Sequence, residues 1–325
     1  MTDVSASTAA LEALELHPVS IPMKYRFRRV NRRDAVLIRG PQGWGEFSPF
    51  PDYPPEVTTR WLAAALEAAC SIWPAPVRPS VPINVTVPAV DGPTAYSIVV
   101  ESGCRTAKVK VADPGQTLEE DEERLAAVRA ALGPSGKIRI DVNGAWDLET
   151  ATATLVKFAI YDLEFVEQPV HTLEEMIELR RRVPVRIAAD EAVRLAADPL
   201  EVAEKGAADL IVVKVQPLGG VERALGVARR SGLPTVVSSA LETSIGIAAG
   251  LAAAAALPQL DFACGLGTVS LLTGDVVLDP LLPIDGQMDL RRPEPDPELV
   301  DRFAADRDTS AELLRRLRWA AEVLT

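Results

Sequence analysis

"TAKVKVA", residues 106–112, sets Lys108 and Lys110 two positions apart in a run that is otherwise apolar or small. Side chains two apart on a strand share a face, so both amines point the same way, with Lys108 one layer deeper. Buried ammonium groups are costly unless acidic partners or chemistry call for them.

Outward from this stretch, short β-rich runs alternate with longer helical patterns. The strand candidates are "VPINVTV" near 81, "RTAKVKVA" near 105, "GKIRIDVN" near 136, "LEFVEQPV" near 163, "VRIAADEA" near 185, "DLIVVKVQ" near 209, "PTVVSSAL" near 234 and "LDFACGLG" near 260. Between them lie amphipathic stretches such as "TLEEDEERLAAVRAALG", acidic at the start and basic towards the end, as helices prefer. A polar or glycine position recurs near the end of each run, at Asn84, Lys110, Asp141, Glu167, Asp190, Lys214, Ser239 and Gly265, every 23 to 31 residues. One strand, one helix and two loops fill that interval, so eight units predict an α/β fold with a parallel (β/α)8 TIM-like barrel. A doubly wound open sheet is the structural rival, but it would set these residues in a row, whereas a barrel rings them about one centre.

The ends of the chain read differently. Residues 1–80 contain two strands joined by a polar turn, a second turn at "GPQGWG", and a helical stretch led in by Pro54 and Pro55. The expected division is an N-terminal capping domain over 1–80, the barrel over 81–275, and a segment over 276–325 that returns to complete an α+β cap. The Ala-rich "SIGIAAGLAAAAALP" is too short to span a bilayer and reads as a buried helix.

Composition narrows the function. A net charge of −12 argues against nucleic acid or an anionic membrane as partner and favours a small molecule. The three cysteines are scattered without metal or disulfide spacing, and the N-terminal stretch lacks a signal-peptide pattern, so a cytoplasmic location is expected. The oligomeric state is open, and a monomer is compatible with the sequence.

Asp141, Glu167 and Asp190 fall at the exits of consecutive strands. Three converging carboxylates repel unless protonated or neutralised, and hard oxygen ligands suit Mg²⁺, with Mn²⁺ as a substitute. Each acid could alternatively cap a helix or pair with an arginine. The chain has 27 arginines but only seven lysines, and three of those seven, Lys108, Lys110 and Lys214, lie within strands. Arginine stays protonated, whereas a desolvated lysine can act as a base; the lysines could also serve to neutralise the acids. A divalent ion between two lysines points to removal of a proton beside a carboxylate, with the metal stabilising the resulting enediolate. His17 and His171 lie away from strand exits, so a histidine base is not expected.

"KVK", "DVNGAW", "EQP", "ADE" and "VVKVQPLGG", together with "GWGEFSP", resemble the enolase superfamily across nearly the whole chain, and its muconate-lactonising branch in particular. The resemblance implies that Asp141, Glu167 and Asp190 bind Mg²⁺ while Lys110 and Lys214 flank the reacting carbon of a small carboxylate. "SSALETS" and "GLGT" look most like those branch members that dehydrate 2-succinyl-6-hydroxy-2,4-cyclohexadiene-1-carboxylate to 2-succinylbenzoate in menaquinone biosynthesis. By that likeness Lys110 acts as base and then acid, and Lys214 holds its charge against the ring. N-succinylamino acid racemases, dipeptide epimerases and cycloisomerases share the same lysines and metal; the paired aspartates of similar dipeptide epimerases are missing from "CGLGT".

Further substrate contacts are expected from Ser238 and Ser239 to the succinyl carboxylate, and from backbone N–H groups at Gly265 and Gly267, unless those glycines serve loop geometry. Asn143, on the strand face of Asp141, is placed to orient a metal water or the substrate. The stretch Pro22 to Arg33 reads as a lid or a plain hairpin, and its Arg26, Arg28 and Arg29 as solvated surface unless they face the mouth.

Overall fold

In the computed structural model, which describes Leu11 and residues 14–324, the chain opens with an antiparallel sheet. Its strands are β1 (Glu15–Phe27), β2 (Val30–Gly40) and β3 (Gly43–Phe47), in that order. Phe27 pairs with Val30, leaving Arg28 and Arg29 as a two-residue hairpin turn with φ of 48° and 65°. Both central residues of a tight hairpin turn must be left-handed, a conformation that glycine and asparagine adopt readily and arginine does not. The helix Pro55–Cys70 and the C-terminal helix Arg307–Leu324 cover this sheet. Their faces meet in one core of Val36, Ile38, Phe47, Trp61, Leu313 and Leu317.

The strand β4 (Ser80–Pro82) pairs antiparallel with the late strand Gln287–Asp289. Next come β5 (Val85–Val87), β6 (Thr106–Lys110), β7 (Lys137–Asp141), β8 (Leu163–Glu167), β9 (Ile187–Ala189), β10 (Leu210–Lys214) and β11 (Thr235–Ser238). They form a parallel sheet in the consecutive order β11 to β5, as successive βα units dictate. The helices between them are capped as their sequences promise: Leu118–Leu132 and Leu173–Arg182 each start at a reciprocal Thr/Glu capping box. The Ala-rich helix Ser244–Ala256 is buried along nearly its whole length.

The expected eighth strand is reduced to two parallel bridges, Ile83 with Cys264 and Ser238 with Gly265. Cys264 N donates to Pro82 O (2.6 Å) and Gly265 N to Val237 O (2.9 Å), so this short segment joins both edges of the sheet. It cannot run further, because the chain turns at once into the 3-10 helix Gly267–Leu271. A Cβ on Gly265 would collide with the Ser238 hydroxyl, which makes glycine the residue that permits this closure.

Inside the ring, Phe165, Ala188, Leu210, Val212, Val236 and Phe262 make an apolar floor. The polar residues stand two positions further along the same strand faces, as Glu167 stands above Phe165 and Lys214 above Val212. Asn84 is a correction to the expected ring of strand-exit residues. It precedes β5, is fully buried, and accepts a hydrogen bond from Arg139 (3.1 Å). The side chain facing the site from β5 is Thr86, level with Lys108.

Candidate active site

The sheet register sets the site. Lys110 pairs with Asp141, Asp141 with Glu167, and Lys214 with Ser238, so the functional side chains of neighbouring strands end at one level. Asp190 follows the last residue of β9. Asp141, Glu167 and Asp190 are at most 1 % exposed, and Lys108, Lys110 and Lys214 at most 9 %.

These groups form one ion network. Lys108 Nζ donates to Asp141 Oδ2 (3.1 Å) and to both oxygens of Glu167 (2.9 and 3.0 Å). Lys110 Nζ reaches Asp141 Oδ2 and Asn143 Oδ1, both at 2.6 Å. Lys214 Nζ donates to Asp190 Oδ2 (2.6 Å), whose other oxygen accepts from Arg194 Nε (3.0 Å). Asn143 in turn donates to Glu191 Oε1 (3.0 Å).

Burial shapes the proton affinities. It draws the Lys110 ammonium below its ordinary value; Asp141 opposes the shift and the charge of Lys108 adds to it. Burial also acts on Lys108, but there the attraction of Glu167, Asp141 and Asp190 prevails and the amine is held above its usual range. Asp141 lies well below the usual carboxylate range, because Lys110, Lys108 and Lys214 outweigh its desolvation. Glu167 is pushed up to about 7 by burial and by the neighbouring charge of Asp141. Asp190 is likewise held below the usual range, by Arg194 and Lys214 against its burial, so of the three acids Glu167 alone is left short of compensating charge.

That donor set has the chemistry of a metal site. Three buried carboxylates from consecutive strands offer only oxygen, the ligand type of hard divalent cations. Among the described residues no three acidic, histidine or cysteine side chains stand close enough to cage an ion as they are, since their oxygens are engaged by lysines and Arg194. The chemistry of the set, together with the raised Glu167, fits a divalent cation that takes over this neutralising role.

A narrow cleft of about 20 Å³ lies above the network, between barrel and cap. Lys108, Lys110, Asp141, Asn143, Lys214, Ser238, Ser239 and Gly265 line it. Gly267 does not; it packs against Ile83 and Asn84. Ser238 and Ser239 both donate to Gly265 O, at 3.3 and 2.9 Å. Backbone strain gathers here, with left-handed φ at Asn143 (52°), Gln168 (39°) and Leu241 (69°).

Phe27, Arg28 and Phe50 line the cleft from the cap. Lys110 lies over the Phe27 ring (5.2 Å), and Arg28 stacks on Phe50 (4.5 Å) while bonding Tyr53 OH (3.1 Å). Among the described residues Arg28 has no carboxylate partner, so it carries an uncompensated charge into the cleft. Sequence reasoning favoured solvated surface for it; the only local signal was its place in a two-residue turn.

The cap also grips the loop after β11. Glu46 accepts from Thr243 Oγ1 (2.6 Å) and Gly246 N (3.1 Å), at the start of the helix Ser244–Ala256. Arg33 donates to Leu241 O (2.8 Å) and Ala240 O (3.2 Å). Glu242, inside this grip, is pushed up to about 7 by burial and by Glu46.

Comparison with known proteins gives a consistent family likeness. Residues 94–295 match the model for "Enolase C-terminal domain-like", and residues 19–69 that for "Enolase N-terminal domain-like". The o-succinylbenzoate synthase of Thermobifida fusca is 57% identical over 273 residues, covering 84% of this chain and 86% of that protein. That of Mycobacterium marinum is 48% identical over 305 residues, covering 93% and 92%. Among solved structures, a muconate lactonizing enzyme from Pseudomonas fluorescens superposes with a TM-score of 0.77 at 20% identity, covering 90% of this chain and 98% of that one. An N-succinyl Arg/Lys racemase from Bacillus cereus gives 0.75 at 18% identity, covering 90% and 97%. At such identities these structures speak to the fold alone.

Proposed function

This chain belongs to the enolase superfamily, and we propose that, like its o-succinylbenzoate synthase relatives, it dehydrates 2-succinyl-6-hydroxy-2,4-cyclohexadiene-1-carboxylate to 2-succinylbenzoate in menaquinone biosynthesis, as a carbon–oxygen lyase. The observation that carries this reading is a cleft in which Lys110 and Lys214 stand four strands apart around the ring, beside three buried carboxylates.

Enzymes of this family depend on a divalent metal ion, and Mg²⁺ is our assignment here, with Asp141, Glu167 and Asp190 as its ligands. When bound, the ion supplies Lewis-acid stabilisation of the charge that proton removal sends into the substrate carboxylate. Lys110, its proton affinity lowered by burial, takes the proton beside the ring carboxylate and then returns it to the departing hydroxide, giving water. Lys214, from the opposite wall, holds a positive charge against the ring face. Lys108, one layer deeper, keeps its charge near Asp141 and Glu167. The substrate is a dianion, and Arg28 is the cation available to its second carboxylate.

Each group in the scheme comes from one chain, so a monomer is the proposed working unit. Among the described residues no helix is long and apolar enough to cross a membrane; a cytoplasmic location is our placement, in keeping with three free thiols.

Opposed lysines also suit two-sided proton exchange, so N-succinylamino acid racemisation is the second reading. Purified protein with Mg²⁺ is offered the cyclohexadiene, followed by absorbance, and N-succinylamino acids in D₂O, followed by NMR. The proposal expects 2-succinylbenzoate to form rapidly. Deuterium exchange into the amino acids without any aromatic product would replace it with the racemase reading.

A further inference from the structure

Around the ring the acids occupy the exits of β7, β8 and β9. The opposite arc, from β11 through residues 264–265 to β5, presents hydroxyls: Ser238, Ser239, Thr268 and Thr86. Three of the four are already engaged. Ser238 and Ser239 donate to Gly265 O, and Ser239 Oγ pairs with Thr268 Oγ1 at 2.8 Å.

Thr86 differs. It is 2 % exposed and lines the cleft, yet its Oγ1 is buried without any hydrogen-bond partner. Its position is fixed by pairing with Lys108 across β5 and β6. The flanking Val85 and Val87 show that valine, its near isostere, suits this strand. A buried, unsatisfied hydroxyl destabilises the free protein, so threonine here is best explained by an acceptor that arrives with a ligand.

The chemistry of the acceptor follows from what surrounds it. Carboxylates of the substrate are served by cations, whereas Lys108, paired with Thr86 across the strands, is spent on Asp141 and Glu167. An uncharged donor with no partner of its own suits an uncharged carbonyl oxygen. We propose that Thr86 donates its hydroxyl hydrogen to the keto oxygen of the succinyl side chain, and so selects for a 2-acyl substituent. This rests on the functional reading above.

The test is calorimetric, with Mg²⁺ present, using 2-succinylbenzoate and its analogue 4-(2-carboxyphenyl)butanoate, in which a methylene replaces the ketone. Thr86→Val is expected to bind 2-succinylbenzoate about tenfold more weakly, the loss typical of one hydrogen bond, and to bind the analogue as wild type does. Thr86→Ser restores the affinity. Because valine removes an unsatisfied group, the Tm of Thr86→Val without ligand should be no lower than that of wild type. Unchanged affinity for the ketone, equal losses for both ligands, or a fall in Tm matched by loss of both ligands would each overturn the assignment. Failure of the wild-type protein to bind 2-succinylbenzoate or form it would instead bring down the functional reading, and this inference with it.

Discussion

Replacing Glu242 by glutamine should change how stability depends on pH. Glu242 is 1 % exposed in the loop that the cap grips, with Arg33 and Glu46 as the charged groups acting on it. Burial and Glu46 raise its folded-state pKa from the ordinary 4.5 to about 7, and Arg33 only partly offsets them. An acid whose pKa is raised by folding contributes stability that is full below its unfolded value and is lost as pH climbs through its folded value. The window is therefore about pH 4.5 to 7. At about 1.4 kcal/mol per tenfold change in proton affinity, the full loss is about 3 kcal/mol, of which about 2–3 kcal/mol falls between pH 5 and pH 8. Glutamine keeps an oxygen for the Ala240 N–H, which Glu242 accepts at 2.8 and 3.0 Å, but does not titrate. Urea unfolding followed by tryptophan fluorescence, with Trp61 buried in the adjoining core, reads the difference. Glu242→Gln should gain on wild type as pH rises from 5 to about 7 and level off by pH 8. A difference between the two proteins that stays constant across that range would refute the reasoning.

Two further outcomes follow from the cap. Arg28→Ala should raise KM for the cyclohexadiene about tenfold or more while altering kcat less, because it removes a charge-assisted contact to the second carboxylate and leaves the lysines in place; an unchanged KM in steady-state assays would return Arg28 to the solvated surface. Gly45→Ala should cost about 1–3 kcal/mol, seen as a lowered Tm, since its Cβ would run into the Ala65 carbonyl where β3 meets the helix Pro55–Cys70; a Tm equal to wild type would show that the two elements can part freely.

Much of the barrel and its acids was legible because strand periodicity is strict. Lys108 and Lys110, or Phe165 and Glu167, must share a face once the strand exists, and the parallel register then brings Asp141 beside Lys110. The same rule blurred the first strand. Asn84 and Thr86 are also two apart, and no local feature says which stands level with the site; that depends on where β5 begins. The eighth strand misled because "LDFACGLG" has the apolar content of a strand, yet its chain turns away after two bridges. Contacts from the cap were out of reach altogether. Arg33 with Leu241 and Glu46 with Thr243 are about two hundred residues apart, joined only by tertiary packing. Arg28 likewise gains its meaning from Phe50 and Tyr53, which no spacing in the chain foretells.

The most direct measurement is the initial rate of 2-succinylbenzoate formation by wild type and Lys110→Ala, each with Mg²⁺ and after treatment with EDTA. Loss of the lysine should slow the metal-loaded enzyme by about 10²–10⁴-fold, the usual worth of a positioned acid–base group, and chelation should silence the wild type until Mg²⁺ is restored. Aromatisation at the wild-type rate without the metal, or without the Lys110 amine, would contradict a reaction in which both hold the proton and its charge.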